Sequence, residues 1–253
     1  MNIRKRPLGL AVAAGLAVAL GLAPARATTV SPTMIDLQTS GRGVVSNISV
    51  TNTGAGPLPV EIVTTALDAT STGFAPGKES TDDLLVTPPS ALIPAGQTQT
   101  FRVQWIGDPE TTASRHFYVS INQLPVKLPE GQSAVQIVYN FQVLVSASAP
   151  DKKPVLAIRS VEPTTVEGKP AATVVVENSG QAHGYISQHR LKLSETNAAG
   201  AEVFTKTISG AEFQQLVGYG LVASGQTRAV TVPIDGVLKG GKLSAVLLDE
   251  RAQ

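Results

Sequence analysis

The chain has 253 residues, with 20 basic and 19 acidic side chains, three histidines and no cysteine, for a formal net charge of +1. A balance this even, without a basic stripe, argues against a nucleic-acid surface. The missing thiols exclude disulfides, thiolate metal sites and cysteine nucleophiles, so stability must come from burial alone.

The first 27 residues read as an export leader. Arg4, Lys5 and Arg6 form a basic start, Leu8 to Ala23 is apolar, and Ala25-Arg26-Ala27 fits a small-x-small cleavage site. The apolar run is short for a membrane span of about 20 residues, so cleavage after Ala27 and export are expected. Setting aside the four basic residues of this segment leaves 16 basic against 19 acidic ones, a slightly acidic remainder.

From Thr28 onward the chain reads as strands separated by turn residues. In order come VSPTMIDLQ, GVVSNISVTNTG, PLPVEIVTTALD, DLLVTPPSALIPAGQ, TQTFRVQWIG, SRHFYVSINQLPV and AVQIVYNFQVLVSA. Each is rich in Val, Ile and Thr and bounded by Gly, Pro, Asn or Asp, as β-propensity requires. Side chains alternate in SNISVTN and TFRVQW, and this half shows no stretch of 3.6 periodicity. Seven such strands suggest an immunoglobulin-like sandwich. The run Ala134 to Val145 is the most telling. Every odd position is apolar (Val135, Ile137, Tyr139, Phe141, Val143, Val145), while Gln136, Asn140 and Gln142 hold the other parity. One strand of this length, roughly 40 Å at about 3.3 Å per residue, outgrows an ordinary sheet and needs a cover for its apolar edge.

ASAPDKKP, Ala147 to Pro154, interrupts the pattern and marks a boundary. Beyond it follow VLAIRSVEP, AATVVVENSG, YISQHRLKLSE, EVFTKTIS, QTRAVTVPI and KLSAVLLDE. VENSG, Val176 to Gly180, repeats VTNTG, Val50 to Gly54. In each a strand runs into an Asn-led turn, which suits the tolerance of Asn for left-handed backbone. The reading is an all-β chain of two immunoglobulin-like domains, 28–148 and 149–253, after a leader at 1–27. Gly210 to Gly220 reads equally as a short helix or an irregular crossover.

Catalytic and metal patterns are missing. His116 sits in SRHFYVSI, where alternation allows either face, and His183 and His189 flank a turn. No metal-ligand spacing, GxSxG elbow or phosphate loop accompanies them. Asp82-Asp83 and Asp249-Glu250 read as solvated charges. No enzyme, metal or cofactor is therefore expected.

The segments VSPTMIDL, SVTNTGAGPLPVEI, LLVTPPSALIPAGQTQTFRV and SRHFYVSINQLPV, with the long strand last, occur in the order seen in periplasmic pilus-assembly chaperones of the chaperone–usher family. Val30 to about Ser146 resembles that family best, above all in the "TPP" strand and the following "QxxRV" strand. The resemblance implies two sandwiches in a boomerang. It also implies a periplasmic chaperone that caps pilus or fimbrial subunits by lending them its long strand and delivers them to an outer-membrane usher. Val135, Ile137, Tyr139 and Phe141 would be the inserted side chains. The alternative is that they face the chain's own core, and self-association is another way to cover them. The family also anchors the subunit's terminal carboxylate with cleft cations. This chain departs from the best-known version, with Thr33-Met34 in place of a "TR" pair and with Asn140 and Gln142 where a Lys is usual. A divergent branch carries an Arg before "LP", so Arg115 becomes the expected anchor, with Lys152 or Lys153 assisting, while Arg102 is structural. Two rival readings remain: a structural subunit of a surface fibre, and a carbohydrate-binding module. The first lacks a spare N-terminal donor segment after the leader. The second needs exposed aromatics, yet Trp105 is the only Trp and has core-like alternation.

Overall fold

The computed structural model describes residues 28–79, 82–125, 138–234, 236, 238 and 240–249. The first ten strands are β1 (Thr29–Ser31), β2 (Met34–Gln38), β3 (Val45–Thr51), β4 (Leu58–Thr70), β5 (Gly73–Glu79), β6 (Leu84–Thr87), β7 (Ser90–Ile93), β8 (Thr98–Trp105), β9 (Arg115–Gln123) and β10 (Asn140–Ser148). They form one sheet ordered β1-β3-β8-β6 and a second ordered β2-β10-β9-β4-β5, with β7 also on β4. Alternation turns Ile48, Val50, Phe101 and Val103 of the first sheet toward Phe117, Val119, Ile121, Val143 and Val145 of the second, all essentially without solvent exposure. Trp105 closes this core edge-to-face on Phe117, ring centroids 6.2 Å apart.

Two prolines divide strands that the sequence reads as continuous. Proline has no N–H to donate to a ladder. At Pro32 the chain changes sheets: β1 pairs antiparallel with β3, and β2 pairs parallel with β10. At Pro88-Pro89 the TPP segment splits likewise, β6 joining β8 and β7 joining β4. Strand β5, a hairpin partner of β4, goes unrecognised in the sequence because GFAPGKE carries two glycines and a proline.

The remaining elements are β11 (Leu156–Val166), β12 (Lys169–Asn178), β13 (Gly184–Tyr185), β14 (His189–Thr196), β15 (Glu202–Ile208), α1 (Gly210–Leu216), β16 (Leu221–Val222), β17 (Thr227–Pro233) and β18 (Lys242–Asp249). They form sheets β11-β12-β17, β13-β16 and β15-β14-β18 around a second core of Val174, Val176, Ile186, Leu191, Leu193, Phe213 and Val232. The β11–β12 hairpin turns on Glu167 and Gly168, both at positive φ (50° and 76°). Two left-handed central residues match the right-handed twist of the strands they join.

The Gly210–Gly220 ambiguity resolves as a seven-residue helix followed by an irregular return. Ser209 caps it, its Oγ accepting from Glu212 N at 3.1 Å. Ser209→Ala is expected to lower stability by about 1 kcal/mol, read as a fall of several degrees in the thermal midpoint.

The paired turns VTNTG and VENSG are equivalent for a reason other than left-handed backbone, since Glu167 is the only non-glycine at positive φ among the described residues. Asn52 and Asn178 are buried amides. Asn52 donates to Gly56 O and Ile93 O, and its Oδ1 accepts from Gly54 N. Asn178 donates to Ala182 O and Val222 O, and its Oδ1 accepts from Gly180 N and Val155 N. Each amide thus ties a strand end to a second loop of its own sandwich. Gly180 is required by space: a Cβ there would stand 2.3 Å from Lys153 O.

Candidate functional site

Strand β10 runs from core to surface along one parity. Val145 and Val143 are fully buried, Phe141 is half-buried against the same core, and Tyr139, just before the strand, is 47% exposed. The Phe141 and Tyr139 rings stack with centroids 6.1 Å apart and planes at 24°. Gln142 and Asn140, on the other parity, are exposed. Val135 and Ile137 lie outside the described residues. The long-strand expectation therefore divides: Val143 and Val145 are core, while Tyr139 and part of Phe141 face outward.

The backbone explains why this end matters. On one side β10 pairs with β9 from Asn140 to Ala147. On the other it pairs with β2 only from Leu144 to Ser148, because the chain leaves that sheet at Pro32 and Thr33. Among the described residues, no strand covers Asn140 to Val143 on that side. The ladder from Asn140 to Val143 is thus unpaired on one side among the described residues, beside exposed stacked aromatics, a geometry that leaves main-chain groups available to a further strand.

The expected anchors do not converge. Arg115 begins β9, is half-exposed, and pairs with Asp83 at 2.8 Å. It lines a recess with Asp68, His116 and Ser224. Lys152 and Lys153 line a different recess with Asp36, His183, Tyr185 and Gln188, and Lys152 pairs with its neighbour Asp151 at 3.2 Å. Arg102 reaches Gln104 Oε1 at 2.6 Å on the surface. Trp105 is buried and offers no exposed aromatic platform.

Arg228, which sequence reasoning missed, enters a third recess of about 310 Å³. Its walls are Phe74, Tyr118, Leu144, Val217 and Tyr219, so residues of both sandwiches line it. Leu144 is paired with Tyr118 on β9 and Met34 on β2, forming one row across the sheet. Arg228 lies over the Phe74 ring, 5.9 Å from its centroid, and donates through Nη1 to Leu221 O at 2.6 Å. Its buried Nε has no hydrogen-bond partner among the described residues. Burial pulls its pKa down, with Tyr118 opposing, but a guanidinium stays charged at neutral pH. Nothing in QTRAVTVP signals this, because Phe74 and Tyr118 come from strands of the other sandwich.

A polar network joins the two sandwiches beside these recesses. Asp36 Oδ1 on β2 accepts from His183 Nε2 at 3.0 Å and from the Tyr185 hydroxyl at 2.6 Å. His116 hydrogen-bonds through Nδ1 to Ser146 Oγ at 2.9 Å and through Nε2 to Ser114 Oγ at 3.2 Å. Ser114 continues to Ser224, and Thr33 Oγ1 meets the Tyr219 hydroxyl at 2.8 Å. Burial pushes the Asp36 carboxyl up, but the hydrogen bonds from His183 and Tyr185 and the neighbouring histidines outweigh it, leaving its pKa below the usual value. Burial, with His183 and Arg115 nearby, holds His116 down to about 3 against the pull of Asp36. Burial and the Asp36 charge raise the Tyr185 phenol.

This arrangement is a two-sandwich protein with one strand edge open among the described residues, and the comparisons with known proteins give the family of its first sandwich. Residues 27–145 match the family model described as "Pili and flagellar-assembly chaperone, PapD N-terminal domain". The first sandwich is thus a PapD-type N-terminal domain. The crystal structure of a class 5 fimbriae chaperone, CfaA, superposes with a TM-score of 0.54 at 12% identity, covering 88% of this chain and 99% of that one. A structure described as a chaperone–tip adhesin complex of CFA/I fimbriae biogenesis matches at 0.51 and 11%, covering 88% and 98%. At such identities these are likenesses of fold. No curated protein matches the chain in sequence.

Proposed function

We propose that the chain is a periplasmic chaperone that caps fimbrial subunits by lending them the open edge of β10, and hands them to an outer-membrane usher. The observation that carries this is the edge from Asn140 to Val143, unpaired on one side among the described residues, where Tyr139 and Phe141 emerge from the core. An incomplete subunit sandwich would gain main-chain pairing along that edge and apolar filling from Tyr139 and Phe141, with Val135 and Ile137 continuing the same parity. The division into 28–148 and 149–253 agrees with two cores that share no residue. Nothing in this role requires a reaction or cofactor.

The subunit's terminal carboxylate would be taken up at the junction. Arg115, Lys152 and Lys153 supply cations on two flanks, two of them already paired with Asp83 and Asp151. Arg228 supplies a partly desolvated cation that no carboxylate pairs among the described residues, in the recess lined by Leu144 of β10. A hydrogen bond to a charged group is worth about 1.5–3 kcal/mol. Arg228→Gln is therefore expected to weaken subunit capture by about 10- to 100-fold, measured by titrating the purified chaperone with a subunit. Arg115→Ala, or Lys152→Ala with Lys153→Ala, should cost about tenfold or less. Wild-type capture by all of these variants would remove the carboxylate anchor from the account.

A further inference from the structure

We propose that the junction between the two sandwiches is a proton-operated lock, in which charging His116 parts the sandwiches while each remains folded. His116 is 4% exposed and His183 8% exposed. The two rings meet edge-to-face across the junction, centroids 5.3 Å apart, His116 from the first sandwich and His183 from the second. Both His116 nitrogens are already engaged, by Ser146 and Ser114. Phe74 packs on its ring from β5 at 5.1 Å. A proton added to this imidazole meets serine hydroxyls at both nitrogens and, among the described residues, no carboxylate in contact.

The charged and titratable groups around it come from several elements. Asp36 of β2 favours the added charge, but is occupied by His183 and Tyr185. His183 opposes the charge from the second sandwich, and Arg115 opposes it from the adjacent position on β9. Asp68 of β4 and Arg115 line the recess that His116 shares with Ser224. The surroundings therefore keep the closed junction neutral at His116, whose pKa falls to about 3 from an ordinary 6.5.

The sign follows from linkage. A histidine depressed in the closed state takes up a proton when the junction opens, so closure is complete above about 6.5 and weakens as pH falls toward 3. One proton shifts the opening equilibrium by about tenfold per pH unit in that window, roughly 100-fold between pH 6.5 and 4.5. Asp36, itself held low, adds to the loss only below its ordinary range.

Because the chain has no cysteine, the test is a distance between spin labels at Ala95→Cys and Ala199→Cys, exposed turn positions in the two sandwiches. It uses the full mature chain alone, so its outcome is independent of the subunit-capping role. The expected result is a longer, broader distance distribution at pH 4.5 than at pH 7.5, with unchanged far-ultraviolet circular dichroism. In His116→Asn, which retains hydrogen-bonding capacity but cannot charge, that change should be lost. A distance constant with pH, an equal response in His116→Asn, or loss of β-structure at the same pH would each overturn the proposal.

Discussion

Tyr139→Asp is expected to reduce subunit affinity by about 100-fold or more while leaving the thermal midpoint near that of the parent. Burying a large apolar side chain contributes about 1.5–3 kcal/mol. An aspartate in its place would also bring an unpaired charge into the subunit's groove, which raises the cost further. Tyr139 is 47% exposed in the free chain and makes its main contact by stacking on Phe141. Its loss should therefore register in capture far more than in folding. Phe141→Asp is the informative contrast, because Phe141 also packs on the core beside Val143. It should damage both capture and stability. Co-expression with a fimbrial subunit and purification of the complex reads the first effect, and thermal unfolding of the free chaperone reads the second. Recovery of intact complex with Tyr139→Asp would mean that this face does not enter the subunit.

The largest effect on folding is expected at Asn178. Its amide is wholly buried and makes four hydrogen bonds to main-chain groups of Val155, Gly180, Ala182 and Val222. Alanine would take this partner from the buried Ala182 and Val222 carbonyls, each at about 1–3 kcal/mol unless water enters, and from the part-buried Val155 and Gly180 amides at less. A total near 3–5 kcal/mol is expected for Asn178→Ala, a large share of the about 5–15 kcal/mol that holds a typical domain. Asn52→Ala removes three such bonds in the first sandwich and should cost somewhat less. Denaturant unfolding of both variants checks the order. A change below about 1 kcal/mol at Asn178 would show that the amide's partners are satisfied in another way.

The sequence carried the architecture in residues whose signal is local. Alternation along NFQVLV, the turn residues between strands and the VTNTG/VENSG echo are each readable over a few positions, and the structure contains the corresponding strands and turns. The role of the asparagines was not readable, because it depends on carbonyls as distant as Ile93 and Val222. Pro32 and Pro88 were visible as prolines, but the sheet to which each half-strand moves is decided by packing. The site was less legible than the fold. Parity alone puts Tyr139, Phe141, Val143 and Val145 on one face, and it does not say where along that face the core ends. Arg228 and the His116–His183 contact were invisible for the same reason: strands far apart in sequence bring their surroundings together.

Hydrogen exchange of the main-chain amides from Tyr139 to Val143, with and without a bound fimbrial subunit, tests the strand-lending claim most directly. Slowed exchange at the amides facing away from β9, on subunit binding, is the predicted result. Unchanged exchange there, in a complex that remains intact, would contradict it.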